Sequence, residues 1–244
     1  DTIFARSPGV LILSPRDRID RQDSILMKPG LSAETRGMIE DQILEDRNMA
    51  ALVESTGGVA AFPSVVTETA GLRHAVVTAA HEWLHHWFFF QPLGQHFWDS
   101  SDMTTLNETA ATLGGQAIGD RVFTAITGEQ VSRESEPPAP ADLGAFNFND
   151  AMHETRLRTE ALLADGKIEE AEAYMEERRL FMAENGFFIR KINQAFFAFH
   201  GTYATSAASI SPINGQLKEL RSQSDSLEDF LKTVGTFGSY NEFL

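Results

Sequence analysis

The stretch "AVVTAAHEWLHHWFFF", residues 75–90, decides how this chain is read. Ala75, Val76, Val77, Ala79, Ala80, Trp83, Leu84 and Trp87 have the spacing of a buried helix, yet His81, Glu82, His85 and His86 interrupt it. Ionisable groups inside an apolar face are costly to desolvate unless a partner compensates. On a helix, positions i and i+4 share one face, so His81 and His85 project side by side. Glu82 stands one step round from the pair. This is the H-E-x-x-H arrangement, in which two imidazoles hold a zinc ion and the neighbouring carboxylate takes a proton from water. His86 lies off the shared face and is read as a residue that supports the ligand pair from behind or simply packs.

A catalytic zinc site takes three protein ligands and leaves a position for water. One continuation of the motif places glycine at 88 and a third histidine at 91; this chain has Phe88 and Gln91, and that continuation fails. The next helical stretch, "MTTLNETAATLGGQ", offers Glu108, preceded by Asn107 and followed by Thr109, Ala110 and Ala111. Small side chains let two helices approach closely, so Glu108 is the expected third ligand. His96 and Asp102, in the intervening segment, are the alternatives. One zinc per chain is expected.

Working outward, "GVLILSP" (9–15) is a short buried strand between turn residues. "SAETRGMIEDQILEDRNMAALVES" (32–55) has helical spacing at Met38, Ile39, Ile43, Leu44, Met49 and Leu52, with Ser32 as N-cap and Gly57 and Gly58 as the stop. "GGVAAFPSVV" (57–66) reads as a strand that Pro63 confines to an edge or a bulge. Helices follow over 68–90 and from a cap at Ser101 or Asp102 to about Ile126. "GEQVSRESEPPAPADLGAFNFND" is rich in Pro, Ser and Glu and reads as a linker or long excursion. Beyond it the pattern is helical at 150–164, 167–185 and "FFIRKINQAFFAFH", with two shorter helices after that. The expected fold is α+β and predominantly helical. A catalytic core spans 1–130, a linker 131–149, and a helical region at 150–244 completes the cleft.

With 244 residues the chain can bury a core without staples, and it has no cysteine, which removes disulfides, thiolate metal sites and thiol nucleophiles. A net charge of −15 repels phosphate backbones, so a nucleic-acid partner is not expected. The compact basic group "SPRDRIDRQ" alternates with aspartates and reads as solvated surface. The chain opens at Asp1 rather than methionine and reads as an excised or processed piece, with room for a signal peptide or membrane anchor before it.

"HEWLHH" followed by "LNETAA" resembles the gluzincin metallopeptidases, and more closely the uncharacterised bacterial predicted aminopeptidases, often anchored to a membrane at the N-terminus. The match covers about residues 57–120. The resemblance implies a zincin-like fold, a zinc peptidase with His81, His85 and Glu108 as ligands and Glu82 as general base, and a peptide or protein substrate; it leaves the location open, an extracytoplasmic domain of a membrane-anchored protein being one reading. Many gluzincins carry aspartate four residues after the third ligand, where it orients a ligand histidine; here that residue is Thr112. Asn107, Asp102 or a backbone carbonyl is then left to do so. Related enzymes draw a donor for the tetrahedral oxyanion from a downstream segment, and "FHGTYATS" offers Tyr203 and His200.

The strand at 57–66 fits the plan in which an edge strand pairs with an extended substrate. Glu54 and Glu68 are candidate anchors for a substrate amine, "HWFFF" reads as core, and Arg190 and Lys191 as surface charges on a helix. Two rival readings stand beside the peptidase: a degenerate zincin that binds peptides or acts as a scaffold, and a metal-free helical domain in which His81 and His85 pair with carboxylates.

Overall fold

The computed structural model describes residues 1–68, 71–131 and 146–244. Its elements run β1 (Thr2–Ala5), β2 (Gly9–Pro15), β3 (Asp23–Met27), α1 (Ala33–Arg47), β4 (Met49–Ser55), β5 (Gly58–Val59) and β6 (Ser64–Thr67). The helices α2 (Leu72–Phe88), α3 (Pro92–Gln95), α4 (Ser101–Thr127), α5 (Phe148–Ala164), α6 (Ile168–Glu184), α7 (Gln194–His200), α8 (Ile213–Gln223), α9 (Leu227–Gly235) and α10 (Tyr240–Phe243) follow. The fold is α+β with helices dominating. Most of the expected linker, 132–145, lies outside the described residues. Among the described residues no helix is long and apolar enough to cross a membrane.

Two small sheets form the N-terminal part. In one, β2 lies between β3 and β4, antiparallel to both, with Ile12 opposite Leu52 and Leu11 opposite Val53. Successive side chains point to opposite faces of a strand, and here both faces are covered. Val10, Ile12, Ala50 and Leu52 pack on Met152, Met175, Met182 and the α7 aromatics Phe196 and Phe197. Leu11, Leu13, Ala51 and Val53 pack on Ile39 and Ile43 of α1. Covering both faces explains why "VLIL" and "AALV" are continuous apolar runs rather than alternating ones. The N-terminal strands and the C-terminal helices therefore share one core.

Burial on both faces also explains a correction. The sequence suggests a single helix over 32–55, but the chain leaves the helix at Asn48, which adopts the left-handed conformation at φ 52° and donates its N–H to the Leu44 carbonyl. Asparagine tolerates that conformation better than most residues. Residues 49–55 then form β4, so Met49 and Leu52 belong to a strand, and Gly57 and Gly58 end no helix. The Ser32 cap is as expected, its side chain accepting from the Thr35 N–H. The third long helix is capped by Ser100, one residue before Ser101 and two before Asp102, the expected caps. The expected helix over "FFIRKINQAFFAFH" is confined to Gln194–His200, where Asn193 supplies the cap.

The second sheet has the order β1-β6-β5, with β1 parallel and β5 antiparallel to β6, which leaves β5 at an edge. Pro63 stands in the turn between β5 and β6, after a cis peptide bond from Phe62. The sheet leans on α2, where the Ser64 hydroxyl and His86 Nε2 are 2.9 Å apart. Helices α2, α4, α8 and α9 enclose a second core around Leu84, Phe88, Leu106, Phe230 and Leu231. Phe88 is fully buried, but Phe89 and Phe90 are 67% and 75% exposed, so the reading of "HWFFF" as core holds only for its first half.

Candidate metal centre

Glycine brings the two central helices together. A Cβ on Gly115 would lie 3.0 Å from the Cα, Cβ and N of His81, and one on Gly119 would lie 2.5 Å from the Cα of Val77. Residues 108, 115 and 119 fall on one face of a helix of 3.6 residues per turn. The same stripe of α4 that grazes α2 therefore carries Glu108 to the histidines. These glycines were not singled out from sequence, although glycine inside a helical pattern signals a close approach that outweighs its poor propensity.

His81 Nε2 and His85 Nε2 are 2.9 Å apart, and Glu108 Oε2 lies 3.5 Å from the first and 3.4 Å from the second. A tetrahedral ion about 2.0–2.2 Å from each ligand spaces the ligand atoms about 3.3–3.6 Å apart. The observed triangle is close to that size. Glu108 is buried, and its Oε2 makes no hydrogen bond. A buried anionic oxygen without a donor is costly, and a cation at the centre of the triangle supplies what it lacks. The residues fit a divalent metal.

The electrostatics agree. Burial pushes the Glu108 carboxyl up, but the imidazoles of His85 and His81 outweigh it and hold the group well below the usual carboxylate range. His85 loses basicity to burial and regains more from the Glu108 carboxylate. Its Nδ1 faces the Asn107 Oδ1 at 2.9 Å, while the Asn107 amide nitrogen donates to the Leu93 carbonyl at 3.3 Å. That second bond fixes which end of the amide faces the ring, so Asn107 holds His85 with Nε2 directed at the triangle. The Thr112 hydroxyl instead donates back to the Glu108 carbonyl at 2.8 Å and orients no histidine. His96 pairs with Asp99 at 2.6 Å on the surface, and Asp102 lines an adjoining depression, so neither joins the triangle.

Glu82 lies beside the centre in a cleft of about 900 Å³. Burial raises its carboxyl above the ordinary carboxylate value, against the pull of His81 and His85. Strand β5 closes over it so tightly that a Cβ on Gly58 would lie 2.6 Å from Glu82 Oε1. The β5 edge, Gly57 to Ala60, lines the cleft.

Across the cleft stands Tyr203, its ring 6.5 Å from that of His81. The Ala204 N–H donates to the Thr109 hydroxyl at 3.1 Å and ties this segment to α4 one residue past Glu108. The Glu108 carboxylate, and then burial, push the Tyr203 phenol well above its ordinary value, so it keeps its proton and can donate it. His200 lines the same cleft and packs on Phe196, where burial lowers its basicity.

Other candidates lie elsewhere. Glu54 is 3.7 Å from Arg36 and Glu68 is exposed; neither lines the cleft. Arg190 and Lys191 are not free surface charges on a helix, because both pair with the buried Glu40, at 2.8 Å and 3.0 Å. Comparison with family models, curated proteins and solved structures finds no match to this chain.

Proposed function

We propose that the protein is a metal-dependent peptidase, with a zinc ion held by His81, His85 and Glu108 and Glu82 as the general base. The observation that carries this reading is the triangle of two imidazole nitrogens and one buried carboxylate oxygen, edges 2.9–3.5 Å, whose oxygen has no other partner. A zinc ion there lowers the pKa of a water it binds towards about 7 and polarises a carbonyl oxygen.

The chain's own residues supply the rest. Glu82, kept out of bulk water with its basicity raised, accepts a proton from the attacking water and passes it to the leaving amine nitrogen. The Tyr203 phenol donates a hydrogen bond to the oxygen on which negative charge develops. His200, with its basicity lowered, is a second neutral donor on the same wall. Asn107 holds His85, and the free edge of β5 offers backbone groups to an extended substrate beside Glu82.

The test is a cleavage profile on a mixed peptide library, with zinc-loaded protein and with chelator-treated protein. Cleavage that depends on the metal is expected. Peptides that bind the zinc-loaded protein and stay intact would instead make it a binding domain.

A further inference from the structure

We infer that Arg21 recognises a carboxylate of the substrate, so that the cleft selects peptides by their free carboxyl terminus. The inference rests on reading the cleft as a peptide site. Among the described residues lining it, Glu82 and Glu108 are the only carboxylates, and both belong to the centre itself. Asp20 and Asp102 line the adjoining depression, which shares Arg21 and Trp98 with the cleft, and not the cleft itself. Arg21 is the only arginine or lysine in the same lining.

Arg21 is built to present its donors. Its Cζ lies 5.7 Å from the ring centroid of Trp98 and 5.7 Å from that of Phe199, so the guanidinium stands within cation–π range of two aromatic rings. Its Nε donates to the Ser24 hydroxyl at 2.7 Å. The two terminal nitrogens have no acceptor among the described residues, in a chain of net charge −15 whose Arg16, Arg36, Arg178 and Arg190 all pair with acids. A planar fork with both outer nitrogens free matches a carboxylate bidentately. The Ser24 bond already restrains the side chain, so it loses less freedom on binding.

Its position suits a chain end. Phe199 stands 6.1 Å from Tyr203, which stands 6.5 Å from His81; on the other wall, Trp98 stands 4.6 Å from Phe97, which stands 6.4 Å from His85. On both walls two rings separate Arg21 from the triangle. At about 3.3–3.6 Å per extended residue, that separation leaves room for only a few residues between the reacting bond and the terminus. Aromatic rings line that space.

The test uses an N-acetylated tetrapeptide library made in two forms, free acid and C-terminal amide. Zinc-loaded Glu82→Gln protein is equilibrated with each, and retention is read by dialysis and mass spectrometry. The acids are expected to bind about 10- to 100-fold tighter than the amides, as for a charge-assisted pair. Adding Arg21→Gln should bring that ratio to about one, and adding Arg21→Lys should restore part of it. Equal retention of acid and amide, zero included, overturns the inference, and so does an acid preference that survives Arg21→Gln. Turnover by the unsubstituted protein is scored separately. Acids held through Arg21 but never cut would defeat the peptidase reading and leave this one standing. Cleavage indifferent to the terminus would do the reverse.

Discussion

Replacing Gly119 by alanine tests the helix contact that brings the centre together. An added Cβ would stand 2.5 Å from the Val77 Cα, 2.6 Å from its Cγ2 and 2.8 Å from its N. Carbon atoms in contact rest at about 3.5–4.0 Å, so α4 and α2 must part by about 1 Å. Two of the three obstructing atoms are backbone, and no rotamer change relieves them. Overpacking of this kind costs about 1–3 kcal/mol, and the better helix propensity of alanine returns about 1 kcal/mol. A net loss of up to about 2 kcal/mol is expected. Gly37 in α1 is the control, since a Cβ there meets nothing within 4 Å; Gly37→Ala should stabilise by about 0.5–1 kcal/mol. Urea unfolding of both variants, compared at equal slope, reads the difference. The parting should also spoil a ligand triangle whose distances tolerate only about 0.2 Å, weakening zinc binding by at least roughly tenfold. A Gly119→Ala protein as stable as Gly37→Ala, with parental zinc affinity, would refute the reasoning.

Glu82→Gln should keep the zinc while turnover falls by about 100- to 10,000-fold, measured as kcat on a cleaved peptide against metal content. Asn107→Ala should lower zinc affinity by about 10- to 100-fold in a chelator competition, because His85 loses the acceptor that orients it. Burial pushes the Glu40 carboxyl up, but the hydrogen bonds from Arg190, the Val53 N–H and Lys191 outweigh it, and its folded value is below the ordinary one of 4.5. Protons therefore bind the unfolded chain more readily. The stability that Glu40 contributes is complete above about pH 4.5 and is lost as the pH falls through its folded value. Urea midpoints measured from pH 6 to pH 3 should fall less steeply in Glu40→Gln than in the parent.

What could be read from sequence was what local geometry dictates. Two histidines four apart on a helix must share a face, so His81 and His85 were legible before any tertiary contact was known. Glu108 and Asn107 were legible as neighbours on the next helix, though only the Leu93 carbonyl shows which end of the Asn107 amide faces the ring. The β2 strand was plain because it is apolar between turn residues. β4 was hidden because burial on both faces removes the alternation that marks a strand, leaving a run that fits helical spacing equally well. β1 and β3 are short and largely exposed, so they leave little hydrophobic signal. Arg21 was passed over as part of a solvated charged stretch. The residues that give it meaning, Trp98 and Phe199, are remote in sequence and meet it only in the folded cleft. The role of Lys191 and Arg190 was hidden in the same way, since Glu40 lies far back in α1.

The most direct measurement is a zinc titration of chelator-treated protein by calorimetry, run on the parent and on Glu108→Ala. The parent is expected to bind one equivalent per chain, and removal of the buried carboxylate to cost at least about a hundredfold in affinity. A parent that binds no zinc, or an alanine variant that binds it as tightly as the parent, would contradict the proposed centre.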